Sequence, residues 1–346
     1  IELAADIDPS QVRLVRDSDR DELDIVVETT SATGSIVELG RIEVENQYST
    51  LTNEVRPQVE NLVFAKDDST VDLTGGLTFT ADKDGANLDG TSQSDVLQAS
   101  ENGDDLDGFA GDDTLIGGAG DDDLHGGEGD DTFEFAAGDS GFGFDEIGEN
   151  DSLEPGEDTI ELAADIDPSQ VRLVRDSDRD ELDIVVETTS ATGSIVELGR
   201  IEVENQYSTL TNEVRPQVEN LVFAKDDSTV DLTSGLTFTA DKDGDFLDGT
   251  SQSDVFESGP DRDDFNGFGG ADTFRGSVED LSGDDINDFD GQDRIVVEGA
   301  SASDTNVTVR GTGSFREVDI DSDADGEVNA TVDLRNQPDV LGDLRV

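Results

Sequence analysis

The sequence predicts an all-β chain in which parallel β-rolls alternate with small β-sandwich-like accessory domains. Three observations predict it. A nine-residue period runs unbroken from Gly90 to Glu134. The block Ile1–Gly85 returns as Ile160–Gly244, shifted by 159 residues, with Gly75 against Ser234 as its one difference. Its apolar and β-branched residues fall in short runs separated by turn chemistry. No stretch sustains the apolar period of a long helix, though Gln47–Val55 could form one short helix.

The first accessory domain spans residues 1–80, with candidate strands at 12–15, 23–28, 35–39, 41–45, 59–64, 70–73 and 77–80. Turns are expected at 17–21, 31–34 and 66–68. The near-identity of the two blocks implies recent duplication, and so an array. Residues 160–239 are the second accessory domain.

Residues 81–134 form the first roll. Written in nines from Gly90, it reads GTSQSDVLQ, ASENGDDLD, GFAGDDTLI, GGAGDDDLH, GGEGDDTFE. Column six is always Asp: Asp95, Asp104, Asp113, Asp122 and Asp131. Column eight is always apolar: Leu97, Leu106, Leu115, Leu124 and Phe133. Gly recurs in column one and, at Gly111, Gly120 and Gly129, in column four. Two or three residues around the apolar position suit a short strand. The other six must turn the chain, and Gly permits the left-handed backbone such turns need. The chain then returns to the same edge every eighteen residues, with coils stacked at roughly 4.8 Å. Asp95, Asp113 and Asp131 line one edge, Asp104 and Asp122 the other.

Carboxylates stacked about 5 Å apart repel strongly unless a cation lies between them. No Lys or Arg occurs between Lys83 and Arg172, so no side chain is expected to supply one. Oxygen donors without His or Cys suit calcium. A flexible acidic linker would share the composition, but has no use for an apolar residue at every ninth position.

These rows match the pattern G-G-x-G-x-D-x-U-x, and the stretch resembles the RTX calcium-binding repeat family. The resemblance implies a parallel β-roll with calcium held by the column-six Asp side chains and by turn carbonyls such as those of Gly111, Gly120 and Gly129. Residues 59–73 resemble, more loosely, an accessory β domain that accompanies such repeats. Residues 135–159 form a cap or linker; FDEIGENDSLEPGEDTIEL is similar to the segment that caps RTX rolls. Its last residues, Ile160-Glu161-Leu162, correspond to Ile1-Glu2-Leu3. The chain is therefore expected to begin inside a cap, with Ile1 a processed or excised end.

The second roll, residues 240–283, is shorter. Its column-six residues are Asp245, Asp254, Asp263 and Asp272. The row from Gly276 to Asp284 fails, because Leu281 stands in the Asp column. Residues 284–346 then read as a C-terminal cap and a small β domain, with strands near 306–310, 317–320 and 330–334. There Asp321, Asp323 and Asp325 with Gly326 spell D-x-D-x-D-G. An EF-hand would need Glu where Val332 stands, leaving a β-hairpin calcium loop or a solvated acidic turn. Asp17, Asp19 and Asp21, with copies Asp176, Asp178 and Asp180, read as polar hairpins because Arg20 and Arg179 sit inside them.

The formal charge is −66 and the pI near 4.1, which argues against nucleic acid and bare anionic lipid as partners. Hydrophobic content of 33% and aromatic content of 5% allow only small cores, so metal must supply part of the folding free energy. The acids, with Lys at four positions only, also fit a halophile's surface. There is no Cys, and no run long enough for a transmembrane helix. His125, the one His, is expected to be a solvated outward residue, and zinc chemistry of the usual kinds is not expected. No Ser–His–Asp set can be assembled, and the paired carboxylates lie in turn motifs without an aromatic sugar cleft. Asn150, Asn306 and Asn329 head N-x-S/T sequons.

The reading is a non-enzymatic, calcium-dependent extracellular segment of a repetitive adhesin, fibre or surface-layer component. Its partners would be calcium, further copies of itself end to end, and a cell-surface or matrix ligand. For a bacterial source the resemblance implies type I secretion as an unfolded chain. The alternative is the non-catalytic C-terminal region of a secreted enzyme such as a protease or polysaccharide epimerase.

Overall fold

The computed structural model describes residues 1–16, 23–30, 36–45, 47, 60–67, 69–81, 85–138, 141–148, 156–175, 180–190, 192, 194–208, 214, 217–240, 244–299, 306–312, 315–323 and 327–335. Most of the helix expected at Gln47–Val55 lies outside these residues. The described residues are nearly all β, with short 3₁₀ turns at Pro9–Gln11 and Pro168–Gln170. The chain divides into two compact units. One holds Ile1–Gln170, Val186–Glu202 and Gln217–Val230; the other holds Val171–Val185, Val203–Pro216 and Asp231–Val346.

In the first unit Asp8 opens the 3₁₀ turn with a capping box. Its side chain accepts from the Ser10 amide, and Gln11 accepts from the Asp8 amide. The strand Val12–Val15 then pairs antiparallel with Leu23–Thr30, which pairs antiparallel with Ile36–Val44. The last is one strand where the sequence suggested two. Gly40 stays in the ladder opposite Val27, and a bulge at Val27/Glu28 takes up the irregularity. Glu2–Leu3 pairs parallel with Asn61–Phe64, which pairs antiparallel with Ser69–Asp72.

Thr78–Thr80 carries the chain into the first roll. It lies between Val12–Val15 and Val96–Gln98, parallel to both. The ladder continues through Thr114–Ile116, Thr132–Phe135 and Thr159–Leu162, each parallel to the last. It runs on into Asn220–Phe223 of the second accessory block. The facing sheet stacks Asn87–Asp89, Asp105–Asp107, Asp123–His125 and Gly143–Ile147. Partners are eighteen residues apart, as in Leu97↔Leu115 and Leu106↔Leu124. Leu97, Leu106, Leu115, Leu124 and Phe133 are fully buried between the sheets. They are the thin apolar core that the period predicts.

In the second unit one sheet stacks Val171–Val174, Thr237–Thr239, Val255–Glu257, Thr273–Ser277 and Arg294–Glu298, all parallel. Facing it are Phe246–Asp248, Asp264–Asn266 and Asp285–Asn287. Ala330–Arg335 joins Asp285–Asn287 in parallel and continues antiparallel into Phe315–Asp321 and Asn306–Thr312. Phe fills this core. The Phe256 and Phe274 rings stack with centroids 4.9 Å apart, and Phe265 packs 5.4 Å from Phe256. The break expected at Leu281 is a longer loop. Leu281 is buried, and Asp284 regains the register a few residues late, placing Asp285–Asn287 opposite Asp264–Asn266.

Candidate metal centre

Each column-six Asp ends a turn and immediately precedes a strand, so the parallel ladder stacks these residues along the two edges. Their side chains are 0–4% exposed at Asp95, Asp104, Asp113, Asp122, Asp131, Asp254, Asp263 and Asp272. One carboxylate oxygen has the same task in every turn: it accepts the backbone amide of the residue one coil earlier. The Asp95 amide donates to Asp113 Oδ1 at 2.6 Å, Asp113 to Asp131 Oδ1 at 2.7 Å, and Asp104 to Asp122 Oδ1 at 2.7 Å. In the second roll Asp254 donates to Asp272 Oδ1, and Asp245 to Asp263 Oδ1, each at 2.9 Å.

The other oxygen divides the residues into two kinds. Oδ2 of Asp95 accepts from the amide and hydroxyl of Thr91, and that of Asp254 from Thr250 in the same way. Oδ2 of Asp104 accepts from the Ser100 amide, and that of Asp263 from the Gly259 amide. In contrast, Oδ2 of Asp113, Asp122 and Asp145 is buried without a hydrogen-bond donor. A buried carboxylate oxygen with no donor is costly unless a cation or a proton meets it.

The electrostatics agree. Burial, with the neighbouring charges of Asp131, Asp95 and Asp112, pushes Asp113 up to about 9 despite the hydrogen bond from Asp95. Burial likewise pushes Asp122 up to about 7, Asp145 to about 8, Asp272 to about 8 and Asp284 to about 7. Without metal, Asp113, Asp145 and Asp272 hold a proton at neutral pH. A hard divalent cation fits the same place, since all the donors are carboxylate or carbonyl oxygens. At Gly111, Gly120 and Gly129 the turns leave no room for a side chain. Gly111, Gly120 and Gly129 have φ of 114°, 120° and 137°. A Cβ on Gly129 would lie 2.0 Å from the Gly111 carbonyl oxygen.

Four further Asp residues join the same rows. Asp145 and Asp158 accept the Asp122 and Asp131 amides at 2.9 and 2.8 Å, from 23 and 27 residues downstream. Asp284 and Asp293 accept the Asp263 and Asp272 amides at 3.0 and 2.9 Å, each from 21 residues downstream. The nine-residue register misses them because their loops are longer. Their signal is D-x-I, at Asp145-Glu146-Ile147, Asp158-Thr159-Ile160, Asp284-Asp285-Ile286 and Asp293-Arg294-Ile295.

Asp245 faces Arg172 at 3.7 Å, a cationic partner the sequence did not suggest. The expectation that no side chain brings a cation to the first roll is also corrected. Arg16, distant in sequence, donates to the carbonyl of Gly90. Asp321 is buried at the end of Phe315–Asp321 and Asp323 is exposed. Asp325 and Gly326 lie outside the described residues, as do Asp17, Asp19, Asp21, Asp176 and Asp178. His125 points outward as expected but is half-buried, its Nδ1 3.4 Å from Asp123. Ligand atoms of Asp105, Asp123 and His125 lie within 4.8 Å of one another.

A model of the RTX calcium-binding nonapeptide repeat matches four copies of the repeat, over residues 107–140 and 240–278. No curated protein matches the chain. Among solved structures it is similar to the extracellular lipase LipA from Serratia marcescens, at 15% identity and a TM-score of 0.19. That match covers 72% of this chain and 40% of the lipase. The chain thus spans less than half of that protein's length. The repeat match and the stacked Asp rows coincide in both rolls: the chain carries four copies of the RTX calcium-binding nonapeptide repeat.

Proposed function

We propose that the chain is a calcium-dependent structural or adhesive segment of an extracellular protein, with its rolls as calcium-stiffened joints and its accessory domains as spacers. The observation that carries this reading is the continuity of one ladder. Roll strand Thr132–Phe135 pairs with Thr159–Leu162, which pairs on its other side with Asn220–Phe223 of the duplicated block. At the opposite end Thr78–Thr80 links the roll to Val12–Val15 of the first block. The first roll is thus hydrogen-bonded at both ends into the two near-identical blocks. Folding the roll on calcium would fix their spacing, as a fibre or surface protein needs.

The residues that would hold the ions are Asp113, Asp122, Asp131 and Asp145 in the first roll and Asp272 in the second, with turn carbonyls between them. Cell-surface or matrix ligands, and end-to-end assembly of copies, belong to the same reading. The alternative is a non-catalytic region of a secreted enzyme, since the repeat also occurs in secreted proteins. Sequencing the full-length gene product separates the two. Further near-identical accessory blocks are expected; a catalytic domain joined to these rolls would overturn the spacer reading.

A further inference from the structure

The opening turn of each roll differs from the turns below it. Leu77 stands one coil before Asp95, where an inner turn has Asp. Its amide still donates to Asp95 Oδ1 at 2.6 Å, as the Asp95 amide does to Asp113 Oδ1. The opening turn therefore keeps the inner backbone geometry but has one carboxylate fewer. Asp95 Oδ2 is already held by Thr91, through its amide at 2.6 Å and its hydroxyl at 2.7 Å.

Into this place comes Arg16, from the residue after strand Val12–Val15. It is 2% exposed, and its guanidinium donates to the carbonyl of Gly90, the column-one residue of the first row. The guanidinium carbon lies 5.9 Å from the Phe109 ring, in the next turn on the same edge. Phe109 takes φ of 72°, in a column where the next two rows have Gly118 and Gly127. A non-Gly residue is disfavoured there, so the ring is held beside the arginine against its backbone preference.

The second roll repeats every part. The Leu236 amide donates to Asp254 Oδ1 at 2.7 Å, and Thr250 holds Asp254 Oδ2. Arg175, also 2% exposed, donates to the carbonyl of Gly249. Phe268, with φ of 62°, lies 5.9 Å from its guanidinium, and the buried Tyr207 ring lies 4.4 Å away. Between these parts the two rolls have diverged, ASENGDDLD against SGPDRDDFN. Burial raises Asp95 and Asp254, and the hydrogen bonds, with a smaller part from the arginine charges, offset that only in part.

We propose that Arg16 and Arg175 are resident cations that take the place of a calcium ion at the opening turn of each roll. The inference rests on the calcium reading of the inner turns. A guanidinium stays charged at any accessible pH and cannot dissociate from its own chain. The accessory domain thus holds the opening turn with or without calcium, and calcium binding extends the roll from that end.

The test is the calcium midpoint of the full chain by circular dichroism at fixed ionic strength. Arg16→Gln with Arg175→Gln should raise it on the order of tenfold, since a buried carboxylate loses its cation. Lys66→Gln, whose partner Asp8 has an exposed side chain in the accessory domain, should leave it within about twofold. Adding Asp95→Asn and Asp254→Asn to the Arg pair should bring the midpoint back toward wild type, because the charge left uncompensated is then gone. If the Arg pair does not fold at any calcium level, folding restored by the Asn pair supports the proposal and continued unfolding overturns it. An unchanged midpoint for the Arg pair, or a further loss on adding the Asn pair, also overturns it. A wild-type chain that binds no calcium would instead remove the calcium reading.

Discussion

Asp113 shows how one side chain serves two purposes. Its Oδ1 accepts the Asp95 amide and its Oδ2, buried, has no donor. Asp95, one coil earlier, has both oxygens engaged. Asp113→Asn should therefore raise the calcium midpoint on the order of tenfold, by removing one ligand charge, and Asp95→Asn clearly less. Asp112 is exposed and accepts only at the surface, from the Asp130 amide at 3.1 Å. Asp112→Asn should leave the midpoint near wild type in calorimetry; midpoints for Asp112→Asn and Asp113→Asn that move together would discredit the register. The same residues give a pH dependence with a definite sign. Asp113, Asp145 and Asp272 are raised from 3.8 to about 9, 8 and 8. Between those limits the folded calcium-free chain binds more protons than the unfolded one, so its stability falls as pH rises. In chelator, β structure should increase on acidification from about pH 9 towards pH 4. With calcium present, acid should instead weaken binding, because protons and calcium compete for the same oxygens. Chelated chains that lose β structure on the same acidification would contradict this.

At the scale of the element, the turns are set by backbone shape and the strands by a single inward side chain. Gly129→Ala combines a left-handed φ with a Cβ 2.0 Å from the Gly111 carbonyl oxygen, a backbone atom. It should cost about 1–3 kcal/mol or more, read by denaturation in saturating calcium. Gly40→Ala meets nothing within 4 Å in its strand and should be neutral or stabilise by up to about 1 kcal/mol. In the second roll Phe256 touches the rings of Phe238, Phe265 and Phe274 at 5.7, 5.4 and 4.9 Å. Phe256→Ala should cost about 3–5 kcal/mol; a loss under about 1 kcal/mol would mean that this core is not cooperative with the roll. The turns and strands of the rolls were legible in the sequence because a fixed period writes the contact map directly: residue i meets residue i+18. The closing Asp residues were not, because Asp145, Asp158, Asp284 and Asp293 lie 21 to 27 positions from their partners instead of eighteen. Arg16 could not be found that way either, since it is 74 positions from Gly90. The joining of two expected strands into Ile36–Val44 followed from pairing, which overrode the local preference of Gly40.

At the scale of the whole molecule, a charge of −66 makes the compact state repel itself. Burying the Asp rows adds to that cost, and divalent cations placed between them relieve it. Screening by salt relieves the surface part alone, because buried groups are screened much less. High salt should thus lower the calcium requirement without abolishing it. The central claim is that calcium completes the folding of the rolls. The measurement that tests it most directly is circular dichroism of the full chain, exhaustively chelated at low ionic strength and then titrated with calcium. The β signal should be depressed in chelator and rise cooperatively at roughly 10⁻⁴–10⁻³ M calcium, the range of extracellular modules. A spectrum that is fully β in chelator at low salt, and unchanged by calcium, would contradict the account.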